Sequence, residues 1–231
     1  MTRHLPSFFT LLNLASGSIG AIIALRGNLT YGALFIRVGV FFDFLDGFSA
    51  RFFHFPSQFG KQLDSLADLV TFGFLPTVIM YSLIELQTTS LHLPYVALLI
   101  TLFSALRLAR FNEDTRQHYT FIGLPTPANA IFISTLPFII ATDKHPWLTA
   151  LVAHPYTLTA MAILSSWLLV ANIPFIAFKF TTYAWHANRS KYILLLDAAL
   201  LTTFFHAEGI ALSFLLYVLF SSLLQHSPSK T

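Results

Sequence analysis

The chain contains no cysteine, which excludes disulfide frameworks and thiolate metal sites and leaves the redox compartment unread. Charge is almost as scarce. Only 10% of the 231 residues are Asp, Glu, Lys or Arg, against roughly 25% in soluble domains. With 55% of its residues hydrophobic, a chain this short of charge reads as membrane-embedded. Its net charge of +3 is too small to point to a nucleic-acid partner. Internal repeats, low-complexity segments and long linkers are also missing, so residues 1–231 read as a single membrane domain. More apolar runs follow the first, rather than a soluble domain, so that run does not read as a cleavable signal.

What the chain has instead is hydrophobic length. A helix needs about 17–25 apolar residues to cross a bilayer. Candidate spans lie at about 8–25, 31–53, 62–84, 94–111, 124–142, 155–178, 191–206 and 209–225. The fold class predicted is all-α, a polytopic integral membrane helical bundle of about eight transmembrane helices. The first six, about 8–178, form the core, and 191–225 adds two C-terminal helices joined only by "HAEG".

Lys and Arg collect in cytoplasmic loops. Ten of them, from Arg3 through Arg51, Arg107 and Lys191 to Lys230, fall on one side of these spans; only Arg26 and Lys144 fall on the other. Arg37 lies within the second span. The bias predicts that both termini are cytoplasmic and that the acids of residues 43–68 lie at the cytoplasmic ends of spans two and three.

Those acids are the unusual feature. Asp43 and Asp46 are three residues apart, and Asp64 and Asp68 are four apart, so each pair shares a helix face. Gly47 and Ala50 follow four residues after Asp43 and Asp46 on the same face, where small side chains allow close approach. Pro56 and Gly60 mark a turn between the pairs. The two helices are therefore expected to return antiparallel and present four carboxylates to one cleft. Such a group repels itself unless it is protonated or bridged, and intramembrane acids are costly. Hard divalent ions take oxygen ligands shared between carboxylates and substrate phosphates, and two ions about 3.5–4 Å apart form the recurrent clamp for displacement at phosphorus. A divalent metal, Mg²⁺ or Mn²⁺, is the expected cofactor.

The run "DFLDGFSAR", eight further residues, and "GKQLDSLAD" resemble the signature of the CDP-alcohol phosphatidyltransferase family at every position. That pattern specifies eight residues across the 26 positions from Asp43 to Asp68. The resemblance implies a polytopic, usually dimeric membrane enzyme. Such an enzyme moves a phosphatidyl-type group from a CDP-linked lipid to an alcohol and releases CMP. It implies Asp43, Asp46 and Asp64 as metal ligands, and Asp68 as both ligand and general base. Gly47 and Ala50 are expected near the cytidine, with Arg51 and Gly60 shaping the nucleotide pocket. Lys61 adds charge near the phosphates or simply follows the positive-inside rule.

The signature does not name the acceptor alcohol. "ALRLARFN" ends span four with Arg107, Arg110 and Asn112, and "FIGLPTPANA" opens span five, where Gly123, Pro125 and Pro127 oppose helix. The arginines read either as topological anchors or as partners of an anionic acceptor, because guanidinium pairs well with carboxylate or phosphate. Together with "PSFFTLLNLASG", these stretches resemble the serine-accepting branch of the family, the phosphatidylserine synthases, over roughly residues 5–135. That implies CDP-diacylglycerol and L-serine as substrates, a homodimer, and a prokaryotic cytoplasmic membrane with the site facing the cytoplasm. Thr10 and Asn13 fit the branch and are expected in the CDP-lipid pocket; Ser7 stands where asparagine is expected. Open alternatives are another acceptor such as glycerol 3-phosphate or inositol phosphate, an archaeal CDP-lipid donor, or, from another class, a divalent-cation channel or transporter. None of the nine histidines has a metal-ligand spacing, and they read as interface residues.

Overall fold

The computed structural model describes residues 5–52, 58–113, 121–176 and 185–223. Helix α1 spans Leu5–Leu25 and α2 spans Leu29–Phe52. Their tight connection has a local cause. Gly27 adopts φ 88°, a conformation costly for other residues. The Gly27 and Asn28 amides then return to the carbonyls of Ala24 and Ile23 at 2.9 and 3.2 Å. Asn28 also starts the next helix, its Oδ1 accepting the Tyr31 amide at 3.3 Å. The helices approach closely along small residues: a Cβ on Gly32 would stand 2.9 Å from that of Ala24.

The next run, Gln58–Gln87, comprises α3 (Gln58–Asp68), a π-helical turn (Leu69–Phe74) and α4 (Leu75–Gln87). Pro76 has no amide to give to the preceding turn, and the wide turn lies directly before it. This run lies at the centre of the molecule. Phe72, Leu75, Ile79, Met80 and Ile84 are fully buried and pack with Ile36 of α2 and Ile133 of the later helix Thr126–Thr142.

A short 3₁₀ turn, Leu93–Ala97, leads into α5 (Leu98–Glu113). Strand β1 (Phe121–Ile122) pairs antiparallel with β2 (Pro174–Phe175), a small element absent from the helical expectation. Gly123 at φ 83° and extended Pro125 then deliver the chain to α6 (Thr126–Thr142), as the prolines predicted. Helices α7 (Pro146–Ala153) and α8 (Pro155–Val170) meet at 67° across His154, where Pro155 disfavours helix in its predecessor. The sixth apolar segment thus ends at Val170 rather than near 178, because residues 174–175 are drawn into pairing with β1.

Helix α9 runs Trp185–Leu223, with non-helical backbone at Asn188 and His206. It does not run straight. A Cβ on Gly209 would lie 2.0 Å from the Leu201 carbonyl oxygen, whereas eight residues along a straight helix span about 12 Å. The chain therefore turns back sharply near His206, at the expected "HAEG" junction.

Among the described residues, four helical runs are long and apolar enough to cross a membrane: Ser7–Leu25, Gln58–Gln87, Leu93–Glu113 and Asn188–Ser222. The bent pair α7–α8 makes a fifth, and α6 is a shorter apolar helix. The chain is thus an all-α integral membrane protein. Helix α2 is long enough, but Arg37, Asp43, Asp46 and Arg51 set its composition apart from the apolar spans.

Candidate active site

Antiparallel α2 and α3 bring the carboxylates together. One oxygen from each of Asp43, Asp64 and Asp68 lies within 4.8 Å of the others. Asp46, one turn along α2, is buried, and its Oδ2 accepts a hydrogen bond from Thr10 Oγ1 on α1. The Asn13 Nδ2 donates to Asp68 Oδ1 at 3.0 Å. Among the described residues, Asp43 and Asp64 take no hydrogen bond and none of the four carboxylates forms an ion pair. Three converging acids with no cationic side chain between them form an oxygen-only donor set that fits a hard divalent cation.

Asp43, Asp64 and Asp68 open onto a cavity of about 750 Å³. Its far wall comes from both limbs of α9, including Leu194, Ala198, Ile210 and Tyr217. One end is thus acidic and the rest mainly apolar. Helix α9 is held beside this space by Phe214 stacked on Phe132 at 4.4 Å, and by the Tyr217 hydroxyl donating to the Ile176 carbonyl at 3.2 Å.

The basic residues separate. Arg107 is buried in the cavity wall, its guanidinium donates to Thr126 Oγ1 at 3.2 Å, and it lies 5.6 Å from the centre of the Phe111 ring. Its Nε has no hydrogen-bond partner, and it is within electrostatic reach of Asp68. Arg110 is exposed and is not among the described lining residues. The two arginines are three positions apart, but the surroundings of α5 bury only the first. Lys61 and Asn112 both line the cavity and are tied to each other. Lys61 Nζ donates to the Asn112 carbonyl at 2.7 Å, and Asn112 Nδ2 donates to Ser65 Oγ at 2.7 Å.

Thr10 and Asn13, expected in the nucleotide pocket, lie behind the carboxylates and outside the described cavity lining. Gly47 is exposed on α2 and Gly60 half-buried on α3, also outside that lining. The side chains of Ala50 and Arg51, and the turn expected at Pro56, lie outside the described residues. Sequence reasoning missed Ser65, Thr71, Thr126 and Tyr217. Only Thr71 left a readable signal: two glycines in apolar helices, Gly17 and Gly39, make room for it.

A family model described as CDP-alcohol phosphatidyltransferase matches residues 3–214. The chain is 33% identical over 181 residues to the CDP-diacylglycerol–serine O-phosphatidyltransferase of Bacillus subtilis, covering 77% of this chain and 92% of that protein. It is 30% identical over 176 residues to the enzyme of the same name from Helicobacter pylori, covering 75% and 72%. An archaetidylserine synthase from Methanothermobacter thermautotrophicus is 35% identical over 137 residues, 57% of this chain and 56% of that protein. The match over nearly the whole chain, with the paired acids of α2 and α3 inside it, establishes that this protein belongs to the CDP-alcohol phosphatidyltransferase family.

Proposed function

We propose that the chain transfers the phosphatidyl group of CDP-diacylglycerol to the hydroxyl of L-serine, giving phosphatidylserine and CMP. The observation that carries this reading is the cavity itself, which joins a carboxylate cation site to a mainly apolar chamber. A lipid bearing a diphosphate has both chemistries. The serine named in both bacterial and archaeal relatives supports the acceptor. The archaeal relative also keeps an archaeal CDP-lipid open as donor.

Asp43, Asp64 and Asp68, with Asp46 beside them, would hold the divalent cation, Mg²⁺ or Mn²⁺, with two ions expected. When bound, it neutralises the diphosphate and polarises the phosphorus. Asp68 takes the proton of the serine hydroxyl as the serine oxygen–phosphorus bond forms and the phosphorus–oxygen bond to CMP breaks. Arg107, a buried cation in the wall, pairs with the serine carboxylate. Asn112 and Lys61 border the same space, while Gly47, Ala50, Arg51 and Gly60 surround the nucleotide. Thr10 and Asn13 serve the site from behind. Arg110 fits a topological anchor, being exposed. The Lys and Arg distribution supports a site and both termini on the cytoplasmic side of a prokaryotic membrane, and the enzyme acts as a homodimer of eight-span subunits.

The test is to incubate purified protein with CDP-diacylglycerol, Mn²⁺ or Mg²⁺, and a panel of acceptors, measuring CMP and identifying the lipid. Serine-dependent CMP release with phosphatidylserine as product is expected. Equal release with glycerol 3-phosphate or inositol phosphate overturns the acceptor, and metal flux in proteoliposomes without CMP release overturns the enzyme.

A further inference from the structure

Thr71 sits in the π turn three residues after Asp68. Many helical hydroxyls in this chain bond back to their own helix, as Ser16 does to Leu12, Thr77 to Gly73 and Thr159 to Pro155. Thr71 instead crosses to α1, donating to the Asn13 carbonyl at 2.9 Å. The carboxamide of that same Asn13 donates to Asp68 Oδ1. Two neighbouring helices close around the threonine. A Cβ on Gly17 would lie 2.4 Å from Thr71 Oγ1, and one on Gly39 would lie 2.3 Å from its methyl carbon. Any side chain larger than glycine at either place would collide with it.

Burial sharpens the point. Thr71 and Asn13 are both 0% exposed. Asn13 Oδ1 is sealed without a partner, and an unsatisfied buried acceptor is costly. A residue needed only for helix contact would be better off apolar. Asp68 Oδ2, in contrast, takes no hydrogen bond and is not sealed.

We propose that Thr71 and Asn13 form a positioning relay. Thr71, clamped between Gly17 and Gly39, fixes the Asn13 backbone, and the Asn13 carboxamide holds one oxygen of Asp68 so that the other faces the cavity. The π turn makes the relay possible, because its wider winding sets Thr71 against α1 while Asp68 keeps its place beside Asp43 and Asp64. The inference rests on the proposed role of Asp68 at the cation site and assigns Asn13 to that carboxylate rather than to the nucleotide. Partners that orient metal-holding groups are typically worth 10- to 100-fold in metal affinity or activity.

The experiment compares Thr71→Val, Thr71→Ser and Asn13→Ala with the unaltered protein in detergent. Mn²⁺ binding without substrate is followed by electron paramagnetic resonance, beside kcat and the KM for CDP-lipid and serine. Melting temperature serves as the folding control. Thr71→Val keeps the shape and removes the donor; it is expected to weaken Mn²⁺ binding and lower kcat, each by about 2- to 10-fold, with KM for CDP-lipid unchanged. Thr71→Ser keeps the donor and restores both. Asn13→Ala should fall by about 10- to 100-fold in the same two readouts. Mn²⁺ binding and kcat unchanged in Thr71→Val overturn the relay, as does a Thr71→Ser defect larger than that of Thr71→Val, which marks simple packing. A raised KM for CDP-lipid in Asn13→Ala, with Mn²⁺ affinity intact, returns Asn13 to the nucleotide. If Asn13→Ala does not fold, the two threonine variants decide. Serine-dependent CMP release by the unaltered protein tests the reaction separately, so the two readings fail independently.

Discussion

The wall of the cavity that carries Asp43, Asp64 and Asp68 is pinned by side-chain hydrogen bonds from one helix to another, whereas the facing wall, α9, rests on ring stacking at Phe214 and on the hydrogen bonds of Tyr217 and Ser221 with the backbone of Ile176. In the apolar window of Gln58–Gln87, 61% of residues are buried; in Asn188–Ser222 the figure is 11%. Close-packed interiors transmit strain, so a small error near the acids reaches the carboxylates, whereas the same error on α9 meets lipid and dissipates. One wall sets atoms for chemistry that tolerates little displacement. The other bounds a mainly apolar space suited to a flexible hydrocarbon.

The sharpest test of that contrast is at the acids. Asp64→Asn or Asp43→Asn removes a charge from the cation site, an interaction worth several kcal/mol in the transition state, so CMP release should fall about 1,000-fold or more. EDTA should abolish release and added Mn²⁺ restore it. Full turnover in EDTA would remove the cation from the reaction.

Next comes Arg107, on the rigid side, against exposed Arg110. Lysine cannot reproduce a planar two-pronged donor, and a charge-assisted hydrogen bond is worth roughly 1.5–3 kcal/mol. Arg107→Lys is expected to raise the KM for serine at least about tenfold with little change for CDP-diacylglycerol. Arg110→Lys should leave both alone. Equal weakening toward both substrates moves Arg107 to the diphosphate.

Gly39→Ala probes the packing behind the acids. The added methyl meets Thr71, and overpacking typically costs about 1–3 kcal/mol, so thermal unfolding should move down and activity with it. An unchanged melting temperature would mean that α2 shifts freely, and the rigid wall is then not rigid.

The smallest effect belongs to α9. Leu196 is 61% exposed on its first limb, and substitutions at such surface positions usually stay within about 0.5 kcal/mol. Leu196→Ala should alter neither melting nor serine-dependent turnover by more than about twofold. A loss as large as that of Gly39→Ala would erase the contrast between the walls.

Much of this was readable from residue order. The spacing of Asp43 with Asp46, and of Asp64 with Asp68, survives folding because a helix converts three- and four-residue steps into one face. The break at "HAEG" and the non-helical stretch before Thr126 were legible because Gly and Pro act locally. The end of α8 at Val170 was not, since what stops it is pairing of β2 with a strand some fifty residues earlier. Nor was the split between Arg107 and Arg110 visible. Both look alike on a helix, and only the tertiary surroundings of α5 bury one of them and give its guanidinium Thr126 as a partner.

By itself the sequence determined that the chain is helical and membrane-embedded, that its acids gather at one end of two helices, and that they suit a divalent cation. These follow from hydrophobic length, helical periodicity and charge, which are local or compositional. Only the tertiary structure decided that Asp43, Asp64 and Asp68 converge within 4.8 Å while Asp46 turns to Thr10. It alone placed Asn13 behind Asp68 and closed the cavity with α9. Those are contacts between residues dozens of positions apart, set by which helices pack together, and no window along the chain contains both partners.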